Sequence, residues 1–87
     1  MPRRRADKVD ANQNQIVDEL RALGLSVEVG MNDILVGHAG KSFWYELKTD
    51  AKAYVTPAQH KLLKHWKGHY KIVWSTEMIL QDIGLKQ

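Results

Sequence analysis

Asp33, with the Glu-x-Lys unit of Glu46 and Lys48, offers two carboxylates and an amine that can act on one substrate. Side chains alternate across a strand, so Ser42, Trp44, Glu46 and Lys48 share one face and Phe43, Tyr45 and Leu47 the other. Asp33, Glu46 and the backbone carbonyl of Leu47 are hard oxygen donors of the kind Mg²⁺ or Mn²⁺ takes, with positions left for water and a phosphate oxygen. Such an ion activates water and neutralises charge growing on phosphorus. Lys48 is then placed to orient the attacking hydroxide or to stabilise the same charge. The chemistry this set suits is hydrolysis of a phosphodiester.

The set converges only if a hairpin brings Asp33 to Glu46. Asp33-Ile34-Leu35-Val36 is a short apolar run, and Gly37-His38-Ala39-Gly40 supplies the glycines of a tight turn. A turn centred on His38 and Ala39 pairs Val36 with Lys41 and Asp33 with Trp44. Asp33 then lies diagonal to Glu46, roughly 7 to 8 Å away between backbones, on the same face. A one-residue slip would send Asp33 to the opposite face.

The elements around the hairpin follow from caps and periodicity. Residues 1–9 read as a basic tail, disordered or serving as a phosphate-contacting arm in which Arg3, Arg4 and Arg5 bind DNA, and residues 10–87 as a single domain. Asp10 and Gln13 form a capping-box pattern before Ile16, Val17, Leu20 and Leu23, which predicts a helix from Ala11 to Leu23 stopped by Gly24. Ser26 to Val29 alternates as a strand and Gly30 turns the chain into the hairpin. Thr56, Pro57 and Gln59 start a second helix that runs to about Lys67, with Leu62, Leu63 and Trp66 as its buried stripe. Tyr70 to Trp74 reads as a strand, and Ser75 caps a last helix, Thr76 to Ile83, ending at Gly84. The order is αβββαβα: an antiparallel three-strand meander, then a helical crossover to a parallel fourth strand, with helices on the faces of a small mixed sheet.

Composition bounds the function classes. At 87 residues the chain is one small domain with a modest core, for which dimerisation is a plausible extra stabiliser. It has no cysteine, which removes disulfides and thiolate metal sites and fits a reducing cytoplasm. The basic start runs into Ala6-Asp7-Lys8 with no apolar segment behind it, unlike a signal peptide, and no run approaches a membrane span. A net charge of +3 favours a polyanionic partner only mildly.

An Asp opening one strand and Glu-x-Lys in the next, within this order of elements, resembles the PD-(D/E)XK nucleases. It is most like the small stand-alone VRR-NUC proteins of phages and bacteria, and is similar to archaeal Holliday-junction resolvases. The resemblance spans residues 10–84. It implies a restriction-endonuclease-like core and a Mg²⁺- or Mn²⁺-dependent DNA endonuclease, acting as a homodimer on branched or structured DNA in a bacterial or phage-infected cytoplasm. It also implies a site role for Gln59 beside Lys48, against the capping role read above. Two positions depart from the family pattern: Asn32 stands where the proline of the name would be, and Gln13 where a helix carboxylate often helps bind metal. Gln13 can still reach a metal-bound water through its amide oxygen, or simply cap the helix. Glu19, on the flank of the same helix, either substitutes for that carboxylate or faces solvent.

Lys52, Lys61, Lys64 and Lys67, with His60 and His65, form a basic side that is either a solvated face or a phosphate track. Gly68 separates His65 from His69 and nothing completes four ligands, so they do not read as a zinc pair. Trp44 stacks on a base or sugar, or serves a core or dimer contact. Two readings of other classes stay open: a nucleic-acid-binding module on this fold that has lost cleavage, and a phage structural or interaction protein.

Overall fold

Ala39 and Gly40 both take positive φ, 53° and 78°, in the computed structural model of the chain. They form the two-residue turn of the primed class that matches strand twist. The structure describes the backbone of residues 2–86 and the side chains of residues 12–86. Strand β2 (Asp33–His38) and strand β3 (Lys41–Leu47) flank this turn, with His38 opposite Lys41 and Val36 opposite Phe43. The turn lies one residue later than the sequence reading puts it. A turn on His38 and Ala39 would force two residues bearing Cβ into the left-handed region, whereas the observed one gives half of that burden to Gly40. Every pairing therefore moves by two. Asp33 stands directly opposite Glu46, not opposite Trp44, and because the shift is even each side chain keeps its face.

Strand β1 (Ser26–Val29) pairs antiparallel with β2, and β4 (Lys71–Val73) pairs parallel with β3, in the order β1-β2-β3-β4. Three helices complete the domain: α1 (Pro2–Ala22), α2 (Pro57–His65) and α3 (Thr76–Ile83). The chain is thus a small α/β domain with a four-strand mixed sheet, in the element order read from sequence. Among the described residues no helix is long and apolar enough to cross a membrane. Helix α1 starts at Pro2 rather than Ala11, so Asp10 lies within it and does not cap it. The backbone of the stretch read as a tail is helical from Pro2 on, and its side chains, Arg3, Arg4 and Arg5 included, lie outside the described residues.

One face of the sheet holds the core. Ile34, Val36, Tyr45, Leu47 and Val73 are buried there with Val27, against Ile16, Val17 and Leu20 of α1 and Ile79 of α3. The opposite face presents Asp33, Leu35, Trp44 and Glu46, with Trp66 and Tyr70 edge-on to Trp44. The stripe expected to bury α2 stays out: α2 has no buried residue, with Leu63 48% and Trp66 51% exposed. Trp66, just past the end of α2 at His65, stands edge-on to Trp44.

Asp82 ties α3 to the sheet. Its Oδ2 accepts from Tyr45 Oη at 2.6 Å and from His69 Nε2 at 2.7 Å, and Lys71 Nζ reaches Oδ1 at 3.2 Å. His69 Nδ1 accepts the Trp44 N–H at 3.1 Å, so its proton sits on Nε2 and is donated to Asp82. Burial acts to raise the Asp82 pKa, but the bonds from Tyr45, His69 and Lys71 outweigh it and hold the carboxyl below its ordinary value. A depressed carboxylate stabilises the fold above its unfolded pKa and stops doing so as pH falls through the folded one. Asp82→Ala is therefore expected to cost about 2–3 kcal/mol at pH 7, with the buried Tyr45 hydroxyl left without its charged acceptor. The gap between urea melts of parent and variant should narrow as pH falls below the ordinary aspartate value and close only below the lower, folded one; a gap that widens in acid contradicts the assignment.

Candidate active site

Asp33 is the first residue of β2 and Glu46 the last but one of β3, so the pair sits at the mouth of the hairpin on the thinly covered face. Directly opposite residues bring their Cβ atoms to roughly 4.5–5.5 Å, closer than the diagonal expected from sequence. Trp44 Nε1 donates to Asp33 Oδ2 at 2.9 Å, which fixes the carboxylate and leaves Oδ1 turned toward Gly30. That position tolerates no side chain: a Cβ on Gly30 would lie 2.1 Å from Oδ1. The Gly30 N–H also donates to the Asp33 carbonyl at 2.8 Å, so the turn before β2 grips the residue from both ends.

Glu46 is only 9% exposed, with Tyr70 Oη donating to its Oε1 at 3.3 Å. Burial pushes its pKa up and the negative charge of Asp33 pushes the same way, while Lys48 and the Tyr70 bond only partly offset them. Burial and the Glu46 charge raise the Tyr70 pKa in turn, which keeps that hydroxyl a donor. Lys48 is close enough to act on Glu46, yet among the described residues it makes no direct ion pair. Its backbone is pinned: Lys48 N–H donates to Val73 O at 2.9 Å, and Asn12 Nδ2 of α1 donates to Lys48 O at 3.2 Å. Leu47 N–H donates to Asn32 O at 2.8 Å, so the peptide carrying the Leu47 carbonyl is held between two fixed neighbours.

Gln13 is not the capping residue that sequence spacing allowed, because α1 begins well before it. It is 5% exposed, its Nε2 donates to Gly30 O at 3.3 Å, and its Oε1 is buried without a hydrogen-bond partner. Gln13 thus touches the glycine that shapes the Asp33 site. Glu19 goes elsewhere, accepting from Thr76 Oγ1 and from Gln15 Nε2. Gln59 takes the capping alternative: its Oε1 accepts Thr56 N–H at 3.0 Å and its own N–H donates to Thr56 Oγ1 at 3.1 Å. Its amide oxygen is committed to the helix end, and among the described residues no hydrogen bond joins it to Lys48. Lys52, Lys61, Lys64 and Lys67 are exposed and make no ion pair among the described residues.

Three interactions escape a reading of the sequence. Tyr70 reaches Glu46 because β4 lies parallel to β3 and places Tyr70 and Ile72 on the carboxylate face; Glu46 pairs with Ile72. Trp44 sits on the face of Asp33, and its indole, weighed for stacking or packing, instead holds a carboxylate. Gly30 reads as a turn residue, but its φ is not positive and its role is space. Among the described residues no three His, Cys, Asp or Glu side chains converge, so a cation here would draw its remaining donors from backbone carbonyl, amide or water oxygen.

Fold and site together define a small mixed-sheet α/β domain with two facing carboxylates and a lysine at the open end of a hairpin. Comparison with known proteins finds no matching family model, no similar curated protein and no similar solved structure.

Proposed function

We propose that the chain is a metal-dependent DNA endonuclease with a restriction-endonuclease-like core, working as a homodimer on branched or structured DNA. One observation carries the reading: Asp33 faces Glu46 across the hairpin, and the buried Glu46 charge is under-compensated by its neighbours. An acidic pair held together at such cost is what a divalent cation would relieve. The donor set fits Mg²⁺ or Mn²⁺, with Asp33, Glu46 and the Leu47 carbonyl as hard oxygens. Gln13 adds an unpartnered amide oxygen near Gly30. When bound, such an ion supplies activation of water and neutralisation of phosphoryl charge. Trp44 and Gly30 hold the Asp33 carboxylate, Tyr70 holds Glu46, and Lys48 offers its ammonium to the attacking water or the phosphate. Lys52, Lys61, Lys64 and Lys67, free of ion pairs among the described residues, supply the phosphate track.

Gln13 in place of a helix carboxylate favours a second reading, a module on this fold that binds nucleic acid without cutting it. Incubation of a four-way junction, a flap and plain duplex with Mg²⁺, Mn²⁺ or EDTA separates the two. Cleavage with metal and none in EDTA is the expected result. Salt-dependent binding with no cleavage under any metal supports the second reading, and loss of both leaves neither. Replacing pairs of the four lysines by alanine should weaken binding and flatten its log-log salt slope by roughly 1 to 2 units, about one for each phosphate no longer neutralised. An unchanged slope would make that side a solvated face.

A further inference from the structure

Trp66 divides two grooves. On one side a groove of about 420 Å³ runs over the open sheet face, lined by Glu28, Val29, Asp33, Leu35, Trp44 and Trp66. On the other, a groove of about 350 Å³ is lined by Lys61, Leu62, His65 and Trp66. The indole is 51% exposed, yet it is not loose. It stands edge-on to Trp44 with ring centroids 5.4 Å apart, and it lies so close over Gly68 that a Cβ there would come within 2.8 Å of its Nε1. Trp44 is braced in turn by Tyr70 at 4.7 Å and by its bond to Asp33. A half-bare aromatic ring thus stands with Lys61 on one flank and Asp33 on the other.

We infer that the groove between Trp66 and Leu35 is a stacking subsite for an unpaired DNA base, whose backbone runs from Lys61 past Trp66 toward Asp33 and Glu46. The inference rests on the endonuclease reading for its substrate and deepens it: the preferred DNA carries unpaired nucleotides beside the bond to be cut. Single-strand recognition combines a cationic track with aromatic platforms, because every base has a π-face and every phosphate a charge. Both features meet at Trp66. The groove is of the size of small-molecule sites, roughly 300–1,000 Å³, and Leu35 gives the base an apolar floor, with Glu28 beside it on the same sheet face. A fully paired duplex keeps its bases stacked on each other and offers none to the ring.

The test uses the full chain in EDTA and fluorescence anisotropy of two labelled eight-nucleotide probes, oligo(dT) and an abasic strand of equal length and charge. Oligo(dT) should bind more tightly than the abasic strand. Trp66→Ala should weaken oligo(dT) binding about 5- to 150-fold while barely changing the abasic probe, and Trp66→Phe should retain most of the affinity. Thermal melts of both variants check that the half-exposed position leaves the fold intact. Equal binding of the two probes by the parent overturns the subsite. So does a Trp66→Ala variant that alters self-association but not the preference for oligo(dT), which would make the ring a contact between copies. If DNA is cut with metal but the probes bind alike, the subsite falls and the endonuclease reading stands. Base-dependent binding by a protein that cuts no DNA has the opposite meaning.

Discussion

Glu46→Gln should lower metal-dependent cleavage on the order of 10³-fold or more and, in the same protein, raise the melting temperature at neutral pH without metal. The first effect follows from the proposed ligand role: loss of even an outer partner of a metal ligand costs about 10–100-fold, and Glu46 is placed as a ligand itself. The second follows from the direction of its pKa. Burial and Asp33 raise it, so the folded protein holds the Glu46 proton more tightly than the unfolded chain does. Stability therefore falls as pH rises from the ordinary glutamate value through the folded one, and above that window the parent carries the whole penalty. Glutamine carries none, still accepts from Tyr70, and should gain roughly 4–8 °C per kcal/mol relieved. The advantage should vanish below pH ~4, where both chains are neutral at this position. Mg²⁺ should raise the melting temperature of the parent and not of the variant. A variant that cuts DNA like the parent, or melts below it at pH 7, would remove Glu46 from the site.

The second large effect is expected from Gly30→Ala, a methyl group on a residue with no charge to lose. The new Cβ would lie 2.1 Å from Asp33 Oδ1 and 3.4 Å from the Asp33 carbonyl, and the first distance is impossible without movement. The group in the way is the end of a side chain, so the carboxylate can rotate and the backbone can stay. Gly30 does not use positive φ, which spares alanine a conformational penalty. Rotation breaks the Trp44 Nε1 bond to Oδ2 and turns Asp33 away from Glu46. A displacement of about 1 Å in a reacting constellation costs on the order of 10²-fold, and cleavage should fall by about that much. The melt should move by less than about 2 kcal/mol, since the packing of the core is untouched. Cleavage at the parental rate would mean that the carboxylate position does not matter; collapse of the fold would mean that Gly30 is structural.

Much of this arrangement is legible in the residues because it is local. Period-two alternation puts Glu46 and Trp44 on one face and Tyr45 and Leu47 on the other whatever the register. Ser75 and Gly84 bound α3, and Thr56 with Gln59 starts α2, because a cap needs only its own turn of helix. Even the register difference is harmless to the faces, being a shift of two. The choice between His38-Ala39 and Ala39-Gly40 depends on which residue bearing Cβ accepts a positive φ, and on how the two strands then pair along their whole length. What lies out of reach is what distant segments do to each other. Gln13 and Asp10 fit a capping box by spacing, but the helix starts earlier and turns Gln13 inward onto Gly30. Leu62, Leu63 and Trp66 fit a buried stripe, but burial needs a partner surface, and Leu62 is only half-buried while Leu63 and Trp66 stay exposed. The bonds of Tyr70 to Glu46 and Tyr45 to Asp82 join residues far apart in the chain, and no spacing rule encodes them. Alternation along each strand settles which residues share a face, and caps settle where α2 and α3 begin. Which carboxylates are held, by whom, and which aromatic ring is left bare follow from how whole elements pack, because those outcomes do not depend on neighbours along the chain.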